Sequence, residues 1–235
     1  MPLPKIMIPK FAVKLPSDGR EVTFRPFLVK EEKALLMAVE AADQDSVIRA
    51  IKDAIAACCD DLDVSRIPYF DIEYLFLNLR AKSVGEEVKF NYRHRGGVNR
   101  EGIACEHSTE VAIQVDAINV TRNDAHENRF MIDDKLGVKM SYPTIDSIQQ
   151  LTNNEKNEIA LMASCIEYVY DSENVFPPDT LDESINFIEQ MNSKQYEKLA
   201  EFFETMPKLS HELTYECGGC GQMDTVKFEG VADFF

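Results

Sequence analysis

The chain has 235 residues, 45% hydrophobic and 28% charged, a composition expected to fold throughout, as one large domain or one domain with an insertion. Forty-one acidic against 25 basic side chains give a formal net charge of −16, a sign that repels phosphate backbones and argues against nucleic acid as a partner. The Met1 to Pro9 stretch has no apolar signal core and no run approaches 18 apolar residues. Secretion and membrane spanning therefore lack support, and six cysteines in an expected reducing cytosol read as core, metal or redox groups before disulfides.

In chain order, Phe11 and Val13 alternate with polar residues before a Ser17-Asp18-Gly19-Arg20 turn, and Val22 and Phe24 alternate after it, which predicts a β-hairpin. Arg25-Pro26-Phe27 ends the strand. Lys30 to Ala38 begins a helix with acidic residues in its first turn, where the helix dipole favours them. Val47, Ile51, Ala54, Ile55 and Cys58 fall on one face of a second helix, with Asp43 or Asp45 as cap. The adjacent Cys58 and Cys59 at its end are read as small buried hydrophobes. Ile72, Leu75, Phe76 and Leu79 mark a third helix, entered through Pro68 and closed near Gly85.

The period then changes. Val88, Phe90 and Tyr92 alternate, a tip containing Gly96, Gly97 and Gly102 intervenes, and Val111, Ile113 and Val115 alternate again, a second hairpin with a long tip. Val138, Met140 and Tyr142 predict a strand before Pro143. From Thr144 to Met206 the spacing is read as helical, with Ile159, Met162, Ile166 and Val169 on one stripe and Leu199, Phe202, Phe203 and Met206 on another. Thr180-Leu181-Asp182-Glu183 fits a capping box at a helix start. Leu213 and Tyr215, then Val226 and Phe228, form a C-terminal hairpin. The expected fold is α+β, with an N-terminal hairpin and helices over 1–86, a first ribbon hairpin and following strand over 87–143, an inserted helical segment over 144–207 and a C-terminal ribbon hairpin over 208–235.

Cys217-Gly218-Gly219-Cys220-Gly221 is the sharpest chemical signal. Two thiolates separated by two residues reach one tetrahedral ion, and glycines let the backbone turn tightly beneath it. Two further ligands are required, and the earlier hairpin tip offers His94, Cys105 and His107. The expected set is His94, Cys105, Cys217 and Cys220 around one structural Zn2+ per chain, a zinc-ribbon-like arrangement, with His107 the rival for the histidine place. Two other readings stay open: a pair of unligated thiols, and a thiol-disulfide oxidoreductase using Cys217 and Cys220. The latter wants a helix after the motif, whereas Gly221 to Phe228 reads as turn and strand. No Gly-x-Ser-x-Gly elbow, phosphate-binding Lys-Ser/Thr loop or His-Glu-x-x-His helix is present. Asp60, Asp61 and Asp63 read as a solvated loop, and His126 and His211 as isolated packing or surface residues.

Pro9-Lys10 with the hairpin to Thr23-Phe24-Arg25-Pro26-Phe27-Leu28-Val29-Lys30, the run Asp71-Ile72-Glu73-Tyr74-Leu75-Phe76 into Leu79-Arg80-Ala81-Lys82-Ser83-Val84-Gly85-Glu86, and the closing Phe228-Glu229-Gly230 to Asp233-Phe234-Phe235 resemble the baseplate hub assembly proteins of T4-type contractile-tailed phages. The resemblance is close over the first 90 residues and looser at the two knuckles. Cysteines stand at the first knuckle in many members of that family, so His94 is a departure. The resemblance implies a non-enzymatic viral protein, acting in the host cytoplasm, that binds other baseplate hub proteins as an assembly factor. The alternative is a permanent subunit of the virion tail baseplate; homo-oligomerisation stays open. Arg25, Phe27, Lys30, Arg80 and Lys82, basic and apolar islands in an acidic chain, are the expected partner-binding residues, unless Phe27 and Val29 are core and Arg25 and Lys30 pair with nearby acids.

Overall fold

The computed structural model describes residues 6–41, 43–93, 102, 105–152 and 157–230. It is α+β, built as three apolar cores, the first two of which share one helix. The first core begins with strands β1 (Phe11–Lys14) and β2 (Glu21–Phe24), antiparallel around the predicted turn. Helices α1 (Val29–Glu40), α2 (Gln44–Cys58) and α3 (Tyr69–Val84) follow. Glu31 turns back to accept the Leu28 N–H (2.8 Å), and the Asp43 side chain accepts the Ser46 N–H (3.1 Å), so α1 and α2 both start on a side chain that satisfies an otherwise orphaned donor. Phe24, Ile55, Leu75, Phe76 and Leu79 fill this core.

Helix α3 is apolar on two faces. Ile72, Leu75, Phe76 and Leu79 belong to the first core, whereas Leu77 and Ala81 belong to the second, and a helix buried on both sides carries no single polar stripe. The second core is closed by two hairpins. One pairs β3 (Glu87–Arg93) with β4 (Ser108–Gln114); the other pairs β10 (Lys208–Glu216) with β11 (Met223–Glu229), and β5 (Asn119–Thr121) adds to the outer edge of β10. Aromatic contacts stack one hairpin on the other: Phe90 meets Phe228 at 5.0 Å between centroids and Tyr92 meets Tyr215 edge-on at 5.8 Å.

The third core lies between these hairpins in sequence. A four-stranded sheet in the order β6 (Arg129–Met131), β7 (Gly137–Met140), β8 (Ile166–Tyr170), β9 (Val175–Phe176) packs against α5 (Asn157–Ser164), α6 (Leu181–Glu189) and α7 (Ser193–Thr205). Met140, Met162, Cys165, Leu199 and Phe202 are buried in it. Helix α4 (Ile145–Thr152) leads back to the first core through Ile145, which is fully buried there.

The reading of 144–206 as helical needs correction in one place. The chain leaves α5 at Ser164, and Ile166 to Tyr170 is a strand, with Val175–Phe176 its hairpin partner. The spacing of Met162, Ile166 and Val169 fits a helix, but Ile166, Tyr168, Val169 and Tyr170 are β-branched or aromatic and find a waiting partner in β7.

Candidate metal centre

Two hairpin ends meet where the cysteines lie. At the β10–β11 turn the Cys217 N–H donates to the Gln222 carbonyl (2.9 Å) and the Gly221 N–H to the Cys217 carbonyl (2.8 Å), while Gly221 takes a positive φ of 70°. That left-handed turn suits a residue without Cβ. Cys105, just ahead of β4, brings its sulfur to 3.7 Å from that of Cys217. The sulfurs of Cys105, Cys217 and Cys220 all lie within 4.8 Å of one another and could hold a metal ion. Cys217 is buried and the other two are half-buried.

Amides surround the central sulfur. The Cys220 and Gly219 N–H groups point at the Cys217 thiol and draw it down to about 6, as expected when hydrogen bonds favour the thiolate. The Gln222 N–H favours the Cys220 thiolate, but burial and hydrogen bonds with Cys217 and Cys105 leave that thiol raised. Three sulfurs this close form a soft donor set for a cation.

Two residues fix the approach of the hairpins: Thr109, which the sequence did not single out, and His107, which it offered as a rival ligand. Thr109 accepts the Gly218 N–H on its hydroxyl (3.1 Å), and the same hydroxyl lies 4.0 Å from the Cys217 sulfur. His107 covers the two glycines of the knuckle. A Cβ placed at Gly219 would fall 2.5 Å from His107 Cβ and 3.3 Å from the Cys105 sulfur; one at Gly218 would crowd His107 Nε2 at 3.1 Å and stand at ordinary contact distance from His107 Cδ2 (3.5 Å) and the Thr109 hydroxyl (3.8 Å). Glycine at 219 is thus a packing requirement of the inter-hairpin contact. Among the described residues His107 is not part of the three-sulfur cluster; His94 lies outside the described residues.

The remaining cysteines are core groups. Burial raises the Cys58 thiol, and pushes Cys59 and Cys165 up to about 12, which leaves them protonated and unreactive. After Cys220 the chain runs into strand β11, so no helix dipole stands behind the motif as a dithiol catalyst would use. His126 is packed between Tyr142 and Phe202, bonded through Nδ1 to the Thr205 hydroxyl (2.9 Å), and kept neutral by burial. Asp60 pairs with Lys10 (2.6 Å), and Asp63 caps a short 3-10 turn through the Ser65 N–H (3.2 Å).

The five expected partner-binding residues divide. Arg25 reaches Glu31 (2.9 Å) and the Ala57 carbonyl (2.9 Å), and Phe27 packs on Phe76 with its N–H held by Ser83 (2.8 Å), so both are engaged inside the fold. Lys82 pairs with Glu86 and lies over the Phe11 ring. Lys30 is exposed and pairs with Glu31 (3.4 Å), as the alternative reading had it, and Arg80 is half-buried with Nη1 buried and, among the described residues, unbonded.

No helix among the described residues is long and apolar enough to cross a membrane. No curated protein and no solved structure matches the chain. The family model described as "T4 bacteriophage base plate protein" matches residues 8–235, which takes in all three cores and both cysteine-bearing hairpins, so the chain belongs to the T4 bacteriophage base plate protein family.

Proposed function

We propose that the chain is a non-enzymatic assembly factor for the hub of the phage tail baseplate, binding hub proteins in the host cytoplasm and folded around one structural zinc. The family match over residues 8–235 carries the functional part of this reading. The three-sulfur cluster supports the zinc. A tetrahedral ion with Zn–S bonds of about 2.3 Å has S···S edges of about 3.8 Å, and the Cys105 to Cys217 separation is 3.7 Å. His94 is the proposed fourth ligand, since it follows directly on Arg93, the last residue of β3. Four protein ligands leave no open position for a water nucleophile, so the ion would hold two hairpins together and activate nothing.

For partner contact, the exposed side of α1 is the proposed surface in the N-terminal third. Val29, Leu36 and Met37 are exposed there beside Lys30, whereas Arg25 and Phe27 set the helix in place from within. The bulk charge of −16 repels nucleic acid and most other acidic surfaces, which leaves a cationic and apolar patch as the place where an acidic protein can seat in one orientation. Quantitative proteomics tests the role. An assembly factor is present in infected-cell extracts and absent from purified mature particles; recovery in stoichiometry with tail proteins would instead make the chain a permanent baseplate subunit.

A further inference from the structure

The third core, far in sequence from α1, carries an exposed sheet edge beside an apolar groove. Among the described residues strand β9 has β8 on one side and no strand on the other, and its two residues are both exposed, Val175 by 58% and Phe176 by 49%. Phe176 opposes Val169 in the β8–β9 register and so shares its face. Between that face and α6 lies a largely apolar groove of about 270 Å³, lined by Leu136, Val169, Phe176, Pro177, Pro178 and Phe187. An edge strand of two residues that runs into Pro177 and Pro178, which carry no N–H, offers few main-chain bonds, so the apolar groove beside it, which can take one side chain of an extended segment, carries the recognition.

The electrostatics select the occupant. Leu136 is shared with an adjoining depression bordered by Asp133, Asp134, Asp171 and Glu173, with Lys135 its one basic side chain. Asp133 and Asp171 are held ionised by the backbone N–H groups of their own turns. From Asn157 to Ser193 the sequence has eight Asp and Glu and no Lys or Arg. Among the described residues these carboxylates do not converge as a cation site; the one such cluster is the three cysteines. Their charge therefore acts as a field around the groove. A second copy of the chain would bring the same acidic face against this one and be repelled, whereas a basic segment is attracted and oriented.

We propose that the β9 edge and the adjoining groove bind an extended segment of a partner protein in which lysine or arginine residues flank an aliphatic or aromatic side chain, the apolar residue entering the groove and the basic ones facing the two acidic turns. The inference stands on this surface and does not depend on the assembly-factor reading. It is tested on the full-length protein with two labelled synthetic peptides, one alternating Lys with Leu and Val and one with Glu in place of Lys, read by fluorescence polarisation. The basic peptide binds and weakens with rising salt, and the acidic one does not bind. Phe176→Asp weakens binding by about tenfold or more, the scale of one lost aromatic contact. Asp134→Lys with Glu173→Lys, two exposed positions outside the turn caps, weakens it further while the thermal midpoint stays at the wild-type value. Equal binding of the acidic peptide, or affinity for the basic peptide unchanged by Phe176→Asp, overturns the proposal. So does a dimer in sedimentation that Phe176→Asp dissociates, since the groove would then be a self-contact.

Discussion

Gly219→Ala probes the contact between the two hairpins with a single added methyl group. Its Cβ would stand 2.5 Å from His107 Cβ, 2.9 Å from His107 Cγ and 3.3 Å from the Cys105 sulfur. Carbon atoms rest at about 3.5–4.0 Å, so the chain entering β4 must retreat by about 1 Å, and Cys105 moves with it. Overpacking of this kind costs about 1–3 kcal/mol, and a metal site tolerates ligand displacements of only about 0.2 Å. For a chain of this size the expected loss is about 2–12 °C in thermal midpoint, accompanied by faster metal release to a chromophoric chelator. Gly218→Ala, whose tight contact is with the His107 ring tip at 3.1 Å while the Thr109 hydroxyl stands at 3.8 Å, is expected to be close to wild type because that ring can swing away. The obstacle at Gly219 is a Cβ, so His107→Gly should restore the Gly219→Ala protein where His107→Ala does not. A Gly219→Ala protein that melts with the wild type, or a Gly218→Ala protein that loses as much, would refute this account of the knuckle.

Two further predictions concern the first core. Asp71 is fully buried and holds the β1–β2 turn to α3, accepting the Ser17 N–H (3.0 Å) and the Ser17 hydroxyl; Asp71→Ala should cost about 2–3 kcal/mol in denaturant unfolding, and a loss under about 0.5 kcal/mol would show the turn held by something else. Burial pushes the Glu31 carboxyl up, but the hydrogen bond from Arg25 and the Leu28 N–H outweigh it and leave it lowered, while the Lys52 hydrogen bond lowers Asp146. Groups with depressed folded values stabilise the fold above the ordinary carboxylate range and lose that contribution as pH falls through the folded value. The stability gap between wild type and Glu31→Gln should therefore shrink steadily below about pH 4, and a gap constant from neutral to acid pH would contradict this sign.

The parts legible in the sequence are those whose signal is local. Asp43 as cap of α2, Pro68 and Gly85 at the ends of α3, and the Thr180 start of α6, whose hydroxyl accepts the Glu183 N–H at 3.2 Å, each follow from chemistry within a few residues. Strand β8 was not legible, because a short apolar run satisfies both periods and the deciding partner, β7, is more than twenty residues away. Strands β5 and β6 are three residues long, too short to show an alternation; β5 exists through distant pairing, Val120 with Leu209, whereas β6 pairs locally, Phe130 with Val138. The cysteine pair at 217 and 220 announced itself by spacing, and Cys105 by its place at a hairpin tip. Thr109 did not, and His107 was offered only as a rival ligand and not as the cover of the two glycines, since their partners lie over a hundred residues downstream and no periodicity encodes such a meeting.

The zinc that would join the two hairpins is tested most directly by X-ray absorption at the zinc edge, on protein purified without added metal and quantified for metal per chain. One zinc per chain is expected, bound by three sulfurs at about 2.3 Å and one nitrogen at about 2.0 Å, with one sulfur lost in Cys105→Ser. Metal-free protein in which Cys105, Cys217 and Cys220 all react freely with a thiol reagent, or a zinc shell without sulfur, would contradict it.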